Sequence, residues 1–169
     1  RAKIKAYNSD ESLLLKKNHK YDNKGNQIEG ASYNSDDFLE EEAKWNYDDK
    51  GNLIEEVIYK SDKSLKEKSI WKYDVKGNQI EFAVYKSDES LELKKIYKYD
   101  DKGNQIEKDA YNSEESLVWK KKYKYDDKCN QIEDASYNSN ESLTEKSTWN
   151  YDDKSNWTRH MYFEIQKEV

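Results

Sequence analysis

The sequence predicts an all-β protein: an antiparallel β-meander of hairpin repeats, about 12–13 strands in all, forming an open or spiralling elongated sheet. Three observations carry that expectation. The dipeptide Tyr-Asp opens at Tyr21, Tyr47, Tyr73, Tyr99, Tyr125 and Tyr151, always 26 residues apart, and a fixed period is the mark of a repeat architecture. Each repeat is interrupted twice by turn-forming residues. Between those turns, apolar and polar residues alternate with period two.

Residues 1–20 form a partial first repeat, with Tyr7 and Leu13 already in the register of the later Tyr and Leu series. The first turn of each repeat reads D-x-K-G-N, and Gly25, Gly51, Gly77 and Gly103 supply four of the five glycines. Glycine held at one position points to positive φ, as in a type I turn closed by a glycine bulge. Cys129 and Ser155 replace that glycine, so those two hairpins are expected to be the more strained. A return strand follows, marked by Ile28, Ile54, Ile80, Ile106 and Ile132 and ending on Tyr33, Tyr59, Tyr85, Tyr111 and Tyr137. The second turn, N-S-D-E-S or a variant, is rich in side chains that bond their own backbone. The strand after it, typified by Leu39 to Tyr47, places Leu39, Glu41, Ala43, Trp45 and Tyr47 on one side and Glu40, Glu42, Lys44 and Asn46 on the other. Residues 152–169 read as a divergent C-terminal cap, and residues 1–169 as a single repeat domain.

A helix capped by Ser9 or Asp10 and ended by Gly25 fits the period less well. Trp45 and Tyr47 cannot share a helix face, and no L-x-x-L-x-L signature is present. If each glycine turn is a three-residue hairpin loop, Tyr21 faces Gln27 and position 19 faces Glu29. One face then collects Leu, the Trp/Tyr series and both Tyr ladders. The Ile series with Lys, Glu and Asn falls on the other.

Composition sets limits on function. Leu, Ile, Val and Phe make up about 17% of the chain, a level typical of disorder. Fifteen Tyr, five Trp and no Pro argue the reverse, because cross-strand aromatic pairs repeated in every hairpin stabilise a thin sheet. No apolar run is long enough for a membrane helix, so no membrane insertion is expected. The net charge of −6 is spread along the chain without a basic block, which argues against nucleic acid as a partner. One Cys excludes an internal disulfide framework. Arg1 falls inside a repeat with no signal peptide before it, as in a mature or trimmed chain.

Candidate chemistry is sparse. His19 sits in the slot of Trp45 and reads as a ladder substitute. Arg159, His160 and Met161 belong to the divergent cap, and Cys129 to a turn. A glycosidase pair needs one carboxyl of raised pKa in a cleft, whereas repetition gives each repeat the same carboxylates. The D-D-K-G-N-Q-I-E segment falls one residue short of a calcium loop and reads as a hairpin turn, so no metal or cofactor is expected. Asn140-Glu-Ser and Asn156-Trp-Thr match the glycosylation pattern, which means little in so Asn- and Ser-rich a chain. The residues suited to ligand binding are Trp45, Trp71, Tyr97, Tyr123 and Trp149, whose rings can stack on sugars. Tyr21, Tyr47, Tyr73, Tyr99, Tyr125 and Tyr151 form the structural ladder.

With those residues in view, the Y-D-x-K-G-N core resembles the tyrosine-aspartate, or Rhs-type, repeats of bacterial secreted and surface proteins. It is most similar to the long-period variety of hypothetical proteins in bacteria such as the Bacteroidetes. The period of 26 exceeds the low twenties usual for Rhs repeats, and no toxin cargo or self-cleavage segment is visible. The resemblance implies an extended β-sheet scaffold that is secreted or at the cell surface, and it supplies no active site. The expected function is therefore a non-enzymatic scaffold for structural spacing or protein interaction and adhesion. A carbohydrate-binding module using the aromatic ladder is the alternative, and a glycoside-acting enzyme ranks third.

Overall fold

Among the described residues, both turns of a repeat fold into the same small device. The computed structural model describes residues 2–7, 9 and 13–164. The second-type turn over residues 8–12, the Ser9 or Asp10 helix cap and residues 165–169 of the cap lie wholly or partly outside them. In the glycine turn, the Asp48 amide donates to the Asn52 carbonyl and the Gly51 amide to the Asp48 carbonyl, with Gly51 at φ 88°. This is a type I turn closed by a left-handed residue. Asp48 Oδ1 also accepts from the amides of Lys50 and Asn52, and Oδ2 from the Asn52 side chain.

The second turn repeats that geometry without glycine. Asp37, Lys63, Glu89, Glu115 and Glu141 occupy its left-handed position at φ between 55° and 69°. Cys129 and Ser155 stand at φ 66° and 64° in the glycine slot, so strain is not confined to their hairpins. Where the turn opens with Asn, as at Asn34 and Asn112, its carboxamide oxygen accepts the two turn amides. Where it opens with Lys, Asp62 or Asp88 accepts from the amide and hydroxyl of Ser64 or Ser90 instead.

Thirteen strands result: β1 (Ala2–Tyr7), β2 (Leu13–Tyr21), β3 (Gln27–Tyr33), β4 (Leu39–Tyr47), β5 (Leu53–Lys60), β6 (Leu65–Tyr73), β7 (Gln79–Tyr85), β8 (Leu91–Tyr99), β9 (Gln105–Tyr111), β10 (Leu117–Tyr125), β11 (Gln131–Asn138), β12 (Leu143–Tyr151) and β13 (Trp157–Glu164). They follow one another in sequence order in one open antiparallel sheet, as the meander requires. The described residues contain no helix. By contact density the chain divides into two compact units, Arg1–Lys72 with Ala83–Glu92, and Tyr73–Phe82 with Leu93–Val169.

The register departs from the simple hairpin. Tyr21 faces Gln27 as expected, but Lys20 faces Glu29 and His19 faces Gly30, because a β-bulge at Ile28 absorbs one residue. The same slip recurs at Tyr47, which faces Leu53 while Asn46 faces Glu55 and Trp45 faces Glu56. A second bulge follows the second turn: Tyr59 faces Leu65, but Ile58 faces Glu67, and the slip recurs at Tyr33, Tyr111 and Tyr137.

Because cross-strand partners share a face and side chains alternate, these bulges split the two Tyr ladders. In the first unit, Trp45 and Tyr47 share a face with Gly30, Ala43 and Glu56, while Tyr33 and Tyr59 lie on the opposite one with Glu29, Lys44 and Asn46. The second unit repeats this, with Tyr97 and Lys108 on one face and Lys98, Glu107 and Tyr111 on the other. The expectation that both Tyr ladders share a face is thereby corrected. We refer below to an aromatic face and an ion-pair face.

The ion-pair face is closed by direct cross-strand contacts, with Lys20 to Glu29 at 2.8 Å, Lys98 to Glu107 at 2.5 Å and Lys124 to Glu133 at 2.9 Å. Lysine ammonium groups also lie over the Tyr33, Tyr59 and Tyr137 rings. The apolar core is thin. Ala83, Ala110 and Ala135 are its buried members, and no large side chain is fully buried among the described residues.

Candidate functional site

Four tyrosines of the Tyr-Asp column tie their hairpins to the one before. The hydroxyls of Tyr47, Tyr99, Tyr125 and Tyr151 donate to the backbone carbonyls of Gln27, Gln79, Gln105 and Gln131 at 2.8–2.9 Å. Tyr21 is exposed, and Tyr73 is half-buried at the end of β6. Beside these bonds, Lys24, Lys76, Lys102 and Lys128 in one turn donate to the carbonyls of Asp49, Asp101, Asp127 and Asp153 in the next. Burial pushes the phenols of Tyr47, Tyr99 and Tyr125 above their ordinary range, helped by the carboxylate of the preceding turn, Asp22, Asp74 or Asp100. The Asn side chain in each turn holds the Asp48, Asp74, Asp100 and Asp126 carboxyls below the usual carboxylate range.

The five ladder rings are all half-buried. In the first unit, Trp45 Nε1 donates to Glu56 Oε1 at 2.8 Å, and its ring lies so close over Gly30 that a Cβ there would meet it at 3.0 Å. Trp71 occupies the matching slot of β6. In the second unit, Trp149 stacks on His160 with centroids 5.0 Å apart and planes at 12°. Tyr97 faces Lys108, whose ammonium lies 5.5 Å from its ring centroid and 5.6 Å from that of Trp119. Tyr123 faces Asp134.

The singular reactive residues fall in separate places. His19 faces Ala2 and Gly30, and both its ring nitrogens are buried without a hydrogen-bond partner. Arg159 faces Asn150, and Cys129 is exposed in its turn. Asp109 takes the small-residue slot filled elsewhere by Ala31, Val57, Ala83 and Ala135, and it is only 5% exposed. The Tyr111 hydroxyl at 3.2 Å and the Lys120 ammonium at 3.7 Å are its partners. Burial, then the Glu107 charge, raises the Asp109 carboxyl above its usual range. No group of three or more potential metal-ligating side chains occurs among the described residues.

The sequence carries one further signal. The position across from the aromatic slot reads Gly30, Glu56, Phe82, Lys108, Asp134 and His160, six different residues beside a column that holds Trp or Tyr in five of its six places. The ion-pair face varies less, with Glu29, Glu55, Glu81, Glu107 and Glu133 in one column. The repeats therefore differ most where they carry their rings, and aligning the repeats with one another reveals it.

Fold and site together define a β-sheet repeat scaffold whose two faces carry different chemistry. A protein-family model described as "Uncharacterised protein" matches residues 45–168, and the chain belongs to that family. No curated protein matches it. Among solved structures, the chain is similar to the crystal structure of TcdB2-TccC3-Cdc42, with 13% identity, a TM-score of 0.55 and coverage of 95% of this chain and 10% of that one. It is also similar to the TcdB2-TccC3 structure without the hypervariable C-terminal region, at 13% identity and TM-score 0.54, covering 95% and 10%. The Photorhabdus luminescens Tc holotoxin pore with the TccC3-D651A mutation gives 13%, 0.54, and 90% and 9%. At this identity the likeness concerns fold alone, and the chain spans about a tenth of those chains.

Proposed function

We propose that this chain is a non-enzymatic repeat scaffold, secreted or at the cell surface, that serves structural spacing or protein interaction and adhesion. The observation that carries the reading is the recurrence of the same ties, Tyr hydroxyl and Lys ammonium to a neighbouring backbone carbonyl, from repeat to repeat. Such ties add one repeat to the next and converge on no single pocket. The resemblance to tyrosine-aspartate repeats supports the extracellular setting. The test is a series of chains lacking one or two 26-residue repeats. Stability that falls step by step supports a scaffold, and all-or-none loss of folding counts against it.

A second reading, binding of carbohydrate, is favoured by the half-buried rings of Trp45 and Trp71 in one unit and Tyr97, Tyr123 and Trp149 in the other. Planar rings stack on sugar faces and neighbouring polar groups fix hydroxyls. A glycan array read with tryptophan fluorescence separates the two, since a scaffold alone gives no shift with any polysaccharide.

A further inference from the structure

Three lysines crowd one part of the aromatic face in the second unit. Lys108 on β9 lies directly across from Lys121 on β10, and diagonal to Lys95 on β8, which faces Ala110. Like charges directly opposite each other in a sheet destabilise it. On the ion-pair face of the same strands, Lys98 and Lys124 each meet a glutamate. Among the described residues, only Lys121 of the three has a carboxylate near, Asp134 at 3.9 Å. Lys108 and Lys95 instead rest over rings, Lys108 over Tyr97 and Trp119, and Lys95 over Phe82 at 5.8 Å. Burial and the charges of Lys95 and Lys121 push the Lys108 amine below its usual range, the direction an unneutralised cation cluster produces.

The departure is local to these repeats. Position 43 and its equivalents read Lys17, Ala43, Ser69, Lys95, Lys121 and Ser147; Lys17 faces Ile4 and Ser32 rather than another cation, and Ala43, Ser69 and Ser147 show that uncharged residues suffice for the fold. Lys95 and Lys121 in neighbouring repeats of that column, with Lys108 between them, in a chain of net charge −6, mark a place where the sheet tolerates repulsion. An anion lodged among them removes it. The flat walls of Tyr97 and Trp119 suit the C–H face of a sugar ring better than a flexible peptide carboxylate.

We propose that Lys95, Lys108 and Lys121, walled by Tyr97 and Trp119, form a subsite for the carboxylate of an acidic sugar, a uronate unit of a polysaccharide. The proposal rests on the carbohydrate reading of the aromatic face and adds to it the charge of the ligand. It is tested on the full chain by calorimetry and Trp fluorescence with tetragalacturonate, cellotetraose and poly-L-glutamate. Tetragalacturonate is expected to bind, more weakly as salt rises, and Lys108→Ala to weaken it at least about tenfold. Lys124→Ala, on the opposite face, leaves binding unchanged. Equal binding of cellotetraose overturns the anion subsite while leaving the carbohydrate reading standing. Equal binding of poly-L-glutamate overturns the sugar. No binding of any probe overturns both. Lys108→Glu, which gives Lys121 an opposite charge, should raise the thermal midpoint while abolishing tetragalacturonate binding. A lowered midpoint would make Lys108 a structural residue and sink the proposal.

Discussion

Asp74 and Asp109 are both aspartates at repeated positions, and their surroundings push them in opposite directions. Asp74 accepts from the Asn78 side chain and from the amides of Asn78 and Lys76, all of which favour the carboxylate. Its folded pKa lies below the unfolded one, so its contribution is complete above the ordinary carboxylate range and is lost as pH falls through the depressed folded value. The same holds for Asp48, Asp100 and Asp126, so acid should unfold the sheet at the turns these aspartates open. Circular dichroism against pH checks this: Asp74→Asn should lower the midpoint at neutral pH and flatten the acid limb. Asp109 behaves the other way, because its folded pKa is raised and ionisation costs stability as pH rises through that value. Asp109→Ala, the residue of the equivalent Ala83 and Ala135 positions, is expected to stabilise the protein at neutral pH by about 1–3 kcal/mol in urea titrations. Little of this could be read from the sequence. Nothing in the run Glu107-Lys108-Asp109 shows which carboxylate is buried until the register is known.

At the scale of the hairpin, the turn type could be read and the pairing could not. A glycine four residues after Tyr21, Tyr47, Tyr73 and Tyr99 announces a left-handed position, and Gly51 and Gly77 occupy it at φ 88° and 91°. Gly77→Ala should cost about 1 kcal/mol, and Lys63→Gly, at φ 69° in the second turn, should return a similar amount. Chemical denaturation of the two variants checks both signs. The bulges had no such marker. Ile54 and Lys66, the residues left unpaired, belong to ordinary columns of the repeat, so alternation alone placed Trp45 opposite Glu55, and the real partner is Glu56. The first-turn slip sets Tyr33 on the opposite face and joins Trp45 to Glu56, and the second-turn slip, at Val118, brings Lys108 opposite Lys121.

For the whole molecule, low aliphatic content and order are reconciled by local ties rather than a deep core. Among the described residues the buried apolar ones are three alanines, so truncating a core side chain has little to remove. The leverage sits in the ties between hairpins. Tyr99→Phe removes the hydrogen bond to the Gln79 carbonyl and should cost about 0.5–1.5 kcal/mol, and Tyr125→Phe the same at Gln105. If stability is a sum over neighbours, the double variant should lose the sum of the two single losses, measured by denaturant titration. Both of these ties, and those from Lys102 and Lys128, end on a peptide carbonyl rather than a side chain. A carbonyl is offered by any residue, so a repeat docks on its neighbour without reading that neighbour's identity. Tandem duplication or loss of whole 26-residue segments can therefore lengthen or shorten the array without new contacts having to evolve, while the column from Gly30 to His160 drifts from one repeat to the next.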